Sequence, residues 1–155
     1  MPDQPLILVI NGPNLNLLGL REPELYGTDT LADAEKLVRA KADGLGFDVD
    51  FFQSNWEGAI IDKLHAARGV AAGVIVNPGG LTSTSISLLD ALLAVELPTV
   101  EVHVTNIHKR ESFRHNSYVS RVAVAVIAGA GIAGYGMAVE VIARLVGSPT
   151  TFTSS

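Results

Sequence analysis

The chain has 155 residues, of which 48% are hydrophobic, and a formal net charge of -5. This length and apolar content predict one domain, residues 1–147, with a sizeable core, and they exclude a largely disordered chain. The negative charge argues against nucleic-acid binding, which requires a basic surface. Because there is no cysteine, disulfides and thiolate metal sites are excluded.

The first half of the chain predicts two strands joined by a helix. Residues 6–10 form a continuous apolar run, as in a strand buried on both faces. The segment 11–28 is a long loop rich in Gly and Pro. Thr30 then matches a helix N-cap, and Gly46 marks the end of that helix. Alternating apolar residues from 47 to 51 predict the second strand.

The second half predicts three more strands, each preceded or followed by a helical pattern. Further strands are predicted at residues 70–76, 99–104 and 122–128. Helices are predicted around residues 60–67, 83–95 and 135–146. Strands that alternate with helices indicate an α/β fold with a parallel sheet covered on both faces.

The uncharged run 122–139 is about long enough to cross a bilayer, but four glycines favour a buried strand followed by a helix. The first five residues lack the basic region of a signal peptide. We therefore expect a cytoplasmic protein without a membrane-spanning segment. The small, polar tail 148–155 is predicted to be disordered.

Five strand–helix units suggest a flavodoxin-like, doubly wound sheet of order 2-1-3-4-5. In that order strands 1, 3 and 4 are neighbours, and ligands bind beyond their carboxyl ends. The loops that follow those strands are 11–28, 77–82 and 105–118, and they are rich in Asn, Arg, Tyr and His. The sequence therefore predicts the functional site where these loops meet.

A candidate acid–base pair lies at the end of the fourth predicted strand. Glu101 and His103 are two residues apart, so they share one face of the strand. A carboxylate beside an imidazole fixes its tautomer and raises its basicity, which suits a general acid or base. Lys109, Arg110 and Arg114 follow, and these cations favour a small anionic substrate.

The loop 11–28 is longer than a connection requires, which indicates an active-site lid. It contains Arg21 and Tyr26. A nearby guanidinium group favours a phenolate, so Tyr26 is a candidate base. The alternative, that Tyr26 is a packing residue, stays open on these grounds.

Two other patterns are interpreted as structural. Residues 129–134 match the dinucleotide fingerprint G-x-G-x-x-G, but they lie in the last unit of the fold and lack the later acidic residue, so a tight turn with close helix packing is favoured. The four histidines lack a metal-binding spacing. We expect neither a metal nor a cofactor.

Taken together, the motifs resemble those of the type II 3-dehydroquinate dehydratases, the cofactor-free dehydroquinases of the shikimate and quinate pathways. The resemblance runs from residue 6 to residue 146. It is carried by the segments 11–19, 21–27, 53–58, 77–80, 101–103 and 113–118.

The resemblance implies an anti elimination of water from 3-dehydroquinate to give 3-dehydroshikimate. It implies that Tyr26 removes the proton next to the ketone and that Arg21 supports the phenolate. It implies that Asn14 stabilises the enolate through an ordered water. His103, oriented by Glu101, would protonate the departing hydroxyl.

The resemblance also implies a set of substrate contacts and an assembly. The backbone at Val104 and Thr105 would hold the substrate carboxylate, and Asn77 and Arg114 would bind ring hydroxyls. Arg110 would shape the positive field. The implied assembly is a homo-oligomer, a dodecamer of trimers.

Two positions bear on the substrate in other ways. Asp90 is expected near the site of a neighbouring subunit. Ser83 stands where the family usually has a histidine that contacts substrate hydroxyls, and a serine is shorter and uncharged. Weaker substrate binding is expected. Two alternative functions stay open. One is a related dehydratase that acts on another cyclic hydroxy-ketone acid, and the other is a non-catalytic relative that binds metabolites.

Overall fold

Five parallel strands form the central sheet of the computed structural model, which describes residues 3–147. They are β1 (Leu6–Asn11), β2 (Asp48–Gln53), β3 (Gly73–Asn77), β4 (Thr99–His103) and β5 (Ala125–Ala128). Their spatial order is β2-β1-β3-β4-β5, and every neighbouring pair is parallel. The predicted flavodoxin-like order is therefore confirmed. The predicted disordered tail, 148–155, lies outside the described residues.

Helices cover both faces of the sheet. The short helix α1 (Pro23–Tyr26) lies in the loop after β1, and the helices that cover the sheet are α2 (Leu31–Leu45), α3 (Glu57–Ala67), α4 (Ile86–Val95) and α5 (Ala133–Val146). Side chains of α2 and α5 share one buried cluster with Ile7 and Val9 of β1. Side chains of α3 and α4 share the other with Leu8 and Ile10. Because successive strand residues point to opposite faces, a continuous apolar strand supplies both layers of the core.

Local side-chain hydrogen bonds set where the helices begin. Thr30 is the N-cap of α2, as predicted, and it forms a capping box with Asp33, whose amide donates to Thr30 Oγ1 at 3.2 Å. Ser85 caps α4 by accepting from the Leu88 amide at 2.9 Å. The helix predicted from residue 83 therefore starts at Ile86, and Gly79–Ser83 forms a 3-10 turn in front of it.

Strand boundaries differ from the predictions where apolar residues lie in turns. β3 begins at Gly73, not residue 70, and Val70 is exposed. β5 begins at Ala125, not residue 122, because the Val122 and Ala123 amides donate to the Val119 carbonyl and continue the turn Val119–Arg121. An apolar run alone does not distinguish a buried strand from the apolar turn that leads into it.

The uncharged run 122–139 is divided between β5 and α5. Gly129 and Gly131, with φ of 89° and 62°, form the turn between them. A Cβ at Gly134 would lie 3.2 Å from Cγ2 of Ile127, so this glycine allows α5 to approach the sheet closely. The predicted tight turn is confirmed. Among residues 3–147, no helix has the length and apolar character to cross a membrane.

Candidate active site

A cleft of about 350 Å³ lies beyond the carboxyl ends of β1, β3 and β4. It is lined by the loops that follow these three strands, as the topology predicts. The predicted site residues that line it are Asn14, Arg21, Tyr26, Asn77, Ser83, His103, Val104, Thr105, Arg110 and Arg114. Two others do not. Glu101 lies behind His103, and Asp90 is exposed on α4.

Two guanidinium groups lie against the Tyr26 ring. The Cζ atom of Arg21 is 5.3 Å from the ring centroid, and the Cζ atom of Arg110 is 5.1 Å from it. Both distances fall within the range of cation–π contacts. Arg21 precedes Tyr26 closely in the sequence, whereas Arg110 comes from the loop after β4. The cluster therefore joins the two loops and concentrates positive charge at one tyrosine.

Asn14 is held in place by residues at the end of β2. Its backbone is left-handed, with φ of 70°, a conformation that asparagine tolerates better than most residues. The Asn14 amide donates to Asn55 Oδ1 at 2.9 Å, and Gln53 Nε2 donates to the same oxygen at 3.2 Å. The motif at 53–58 thus supports the loop that carries Asn14 and does not line the cleft itself.

The loops after β1 and β3 are in direct backbone contact. A Cβ at Gly12 would lie 2.3 Å from the Pro78 carbonyl oxygen, so only glycine fits. The Gly12 amide also donates to the Asn77 carbonyl at 2.8 Å. This close approach brings the Asn14 loop and Asn77 to the same cleft wall.

The Glu101 carboxylate is fully buried behind His103 and has three hydrogen-bond donors. His103 Nε2 and Ser117 Oγ bond to its Oε2 atom, the serine at 2.9 Å, and Ser120 Oγ donates to Oε1 at 2.6 Å. Burial raises the pKa of the Glu101 carboxyl, but the hydrogen bonds from His103, Ser120 and Ser117 outweigh burial and hold this pKa below its ordinary value. Glu101 is therefore a carboxylate at neutral pH.

A second buried network lies under Asn77. The hydroxyl of Tyr135, the second residue after the start of α5, donates to Asn11 Oδ1 at 2.7 Å and accepts from Asn77 Nδ2 at 2.9 Å. Asn11 Nδ2 in turn donates to the Phe52 carbonyl at 3.1 Å. Tyr135 is fully buried, and burial raises the pKa of its phenol, so it stays neutral. This network fixes the orientation of the Asn77 side chain.

Sequence reasoning missed Ser117, Ser120 and Tyr135. The serines lie in a polar loop where nothing local indicates a buried acceptor. Tyr135 is an isolated aromatic residue among the small residues that begin α5, and this isolation was the only sign of a special role.

The short side chain of Ser83 lies in the cleft wall as predicted. Within the described part of the chain, no group of three His, Asp or Glu side chains is arranged to hold a metal ion.

The fold and the cleft define an α/β protein with a candidate acid–base site at a sheet edge. Residues 5–143 match the family model described as dehydroquinase class II, so the chain belongs to this family. The resemblance inferred from the motifs is confirmed.

Named relatives agree with this assignment. The chain is 65% identical over 95 residues to 3-dehydroquinate dehydratase 1 of Corynebacterium efficiens, an alignment that covers 61% of this chain and 63% of the relative. It is 56% identical over 97 residues to catabolic 3-dehydroquinase 2 of Aspergillus terreus, with 63% and 66% covered. These matches span slightly less than two thirds of the relatives' length.

A solved structure is similar over almost its whole length. The type II dehydroquinase of Butyrivibrio crossotus has a TM-score of 0.87 and 40% sequence identity, with 90% of this chain and 97% of that chain covered. The five-stranded sheet is therefore the fold of this family.

Replacing Tyr135 by phenylalanine tests the buried network. The change leaves Asn11 Oδ1 and Asn77 Nδ2 without a partner, and we expect the free energy of unfolding to fall by about 1–3 kcal/mol. Urea denaturation measures the change. Tyr118→Phe, which removes the hydroxyl of a partly exposed tyrosine, is the matched control. Equal stability of the two variants would show that the network contributes nothing.

Replacing Glu101 by glutamine tests the buried carboxylate. Because the pKa of Glu101 is lowered in the folded state, its charge stabilises the wild type above the ordinary glutamate pKa of about 4.3, and this stability is lost as pH falls through the folded-state value. We expect Glu101→Gln to lower the melting temperature near pH 7 and to reduce the further loss in acid. Thermal unfolding between about pH 7 and pH 3 measures both. The same profile in Glu101→Gln and in the exposed-site control Glu57→Gln would contradict this prediction.

Proposed function

We propose that this protein is a cofactor-independent hydro-lyase that removes water from 3-dehydroquinate to give 3-dehydroshikimate. The observation that carries the proposal is the content of one cleft: Tyr26 in contact with two guanidinium groups, together with the buried Glu101–His103 pair. Membership of the dehydroquinase class II family supports the same reaction.

In the first step, the phenolate of Tyr26 takes the proton next to the substrate ketone. Arg21 and Arg110 lie against the Tyr26 ring, and their positive charges stabilise the negative oxygen of the enolate that forms. Asn14 helps to stabilise the enolate oxygen through an ordered water. The left-handed backbone at Asn14 and its bond to Asn55 hold it in the cleft wall for this task.

In the second step, His103 gives a proton to the hydroxyl β to the ketone as its C–O bond breaks. The enolate electrons form the new carbon–carbon double bond, and water leaves. Glu101 keeps the imidazole in one orientation through its hydrogen bond to Nε2. A base, an oxyanion stabiliser and an acid are what an elimination of this kind requires.

The remaining cleft residues bind the substrate. The backbone at Val104 and Thr105 holds the substrate carboxylate, within the positive field of Arg110 and Arg114. Asn77, Ser83 and Arg114 bind ring hydroxyls. Orientation of Asn77 by Tyr135 and of Arg114 by Glu111, whose carboxylate accepts from Arg114 Nε at 2.8 Å, supports this role.

The proposed assembly is a dodecamer of trimers in which Asp90 approaches a neighbouring subunit's cleft. Its exposure on α4, away from the cleft of its own chain, supports this placement. Light scattering that gave the mass of a single chain would contradict it.

A steady-state assay with 3-dehydroquinate, following the absorbance of the conjugated enone product, tests the proposed reaction. We expect turnover by the wild type. Replacing Tyr26 by phenylalanine should lower kcat by roughly 10²–10⁴-fold, the usual contribution of a general base, because no base remains. Tyr118→Phe is the control and should keep wild-type kcat. Normal turnover by Tyr26→Phe would exclude Tyr26 as the base.

Ser83 motivates the second candidate, a dehydratase of another cyclic hydroxy-ketone acid. If 3-dehydroquinate is the substrate, Ser83→His adds a hydrogen-bonding group in the cleft and should lower KM by roughly 2–10-fold, the value of one net hydrogen bond. Turnover of a panel of related hydroxy-ketone acids provides the comparison. A substrate that exceeds 3-dehydroquinate by orders of magnitude in kcat/KM would favour the second candidate, and binding without turnover would favour a non-catalytic role.

A further inference from the structure

The geometry points to Ser117 and Ser120 as positioning residues for the acid of the proposed reaction. They act through Glu101: together they hold both carboxylate oxygens, so that the oxygen facing His103 keeps one place. This inference rests on the proposed function, because it concerns the residue assigned as the acid there.

Each oxygen of the Glu101 carboxylate has its own hydrogen-bond donors. Among residues 3–147, Oε2 accepts from His103 and from Ser117, and Oε1 accepts from Ser120. Glu101 has no exposed surface in the wild type, so its oxygens depend on these protein donors. A buried carboxylate is tolerated only when its lone pairs are satisfied. With the serine donors removed, the group is free to rotate, and the imidazole loses its fixed partner.

The serines are themselves held in place independently of Glu101. Val119 between them is completely buried in the cluster that contains α3 and α4 side chains. The Ser120 amide donates to Ser117 Oγ at 3.2 Å, and this directs the Ser117 hydroxyl proton towards Glu101. The Tyr118 amide donates to the Thr82 carbonyl at 3.0 Å. The donors are therefore preorganised by the core and by the cleft wall.

Neither serine lines the cleft. Their removal should therefore affect proton transfer by His103 and leave substrate contacts in place. This separates a positioning role from a binding role, because the first lowers kcat and the second raises KM.

The kinetic test compares Ser117→Ala, Ser120→Ala and the double variant with the wild type on 3-dehydroquinate. We expect kcat to fall about tenfold in each single variant and roughly 100-fold in the double variant, a part of what general acid catalysis contributes, with KM within about twofold. Ser120→Thr keeps the hydroxyl and should restore kcat. Ser112→Ala, an exposed serine of the same loop, should keep wild-type kcat.

The inference is overturned if both single variants keep kcat within about twofold of the wild type, or if KM rises as much as kcat falls. It is also overturned if Ser120→Thr fails to restore kcat while Ser120→Ala lowers it. Should the double variant not fold, as judged by circular dichroism, the single variants carry the test, since each leaves Glu101 with two donors.

A second measurement needs no substrate. The ¹⁵N chemical shifts of the His103 ring, assigned with His103→Gln, report its tautomer near neutral pH. In the wild type we expect the proton on Nε2, facing Glu101, and in the Ser117→Ala and Ser120→Ala proteins a mixture of tautomers. An unchanged tautomer in both would contradict the inference. Absence of wild-type turnover together with the expected tautomer change would refute the proposed reaction and leave the positioning role standing.

Discussion

The buried carboxylate of Glu101 is the constraint around which this end of the molecule is organised. A charged group without solvent contact, in the middle of a central parallel strand, must have its oxygens satisfied by protein donors. One donor comes from its own strand, His103, and two from the segment that precedes β5, Ser117 and Ser120. That segment must therefore return to the sheet, and the loop between them is brought over the cleft with Arg110 and Arg114.

On the other side of the cleft, an uncharged hydrogen-bond network around Tyr135 holds the strand ends together. Tyr135 connects the ends of β1 and β3 through Asn11 and Asn77, and its burial keeps the phenol uncharged. The contact of Gly12 with Pro78 brings the same two strand ends together at the backbone. The two tyrosines of the site thus have opposite surroundings: Tyr135 is in an apolar interior, whereas Tyr26 lies against two cations. These different surroundings fit a structural role for Tyr135 and the role of base that we propose for Tyr26.

Charge is distributed in a way that suits the proposed substrate. The chain carries a formal charge of -5, yet Arg21, Arg110 and Arg114 all line one cleft. Local positive charge on a negative protein attracts a small carboxylate and does not favour a polyanion, because nucleic-acid binding requires a broad basic surface. The same cations stabilise the enolate in the proposed reaction. In this proposal one set of charges therefore both binds the substrate and stabilises the intermediate. Ser83 lies in the wall that we propose to bind ring hydroxyls, and the three arginines line the cleft with it.

Features that depend on neighbouring residues could be predicted from the sequence. Apolar periodicity placed the strands and helices, Thr30 marked the start of α2, and the two-residue spacing of Glu101 and His103 put both on one face. The alternation of elements was sufficient for the sheet order, since handedness and coverage leave few topologies. The contact of Arg110 with Tyr26, the hydrogen bonds of two serines to Glu101 and the support of Asn77 by Tyr135 became visible in the folded chain. These contacts join residues far apart in the chain, and their hydrogen bonds depend on how the loops pack over the sheet, for which no local pattern exists.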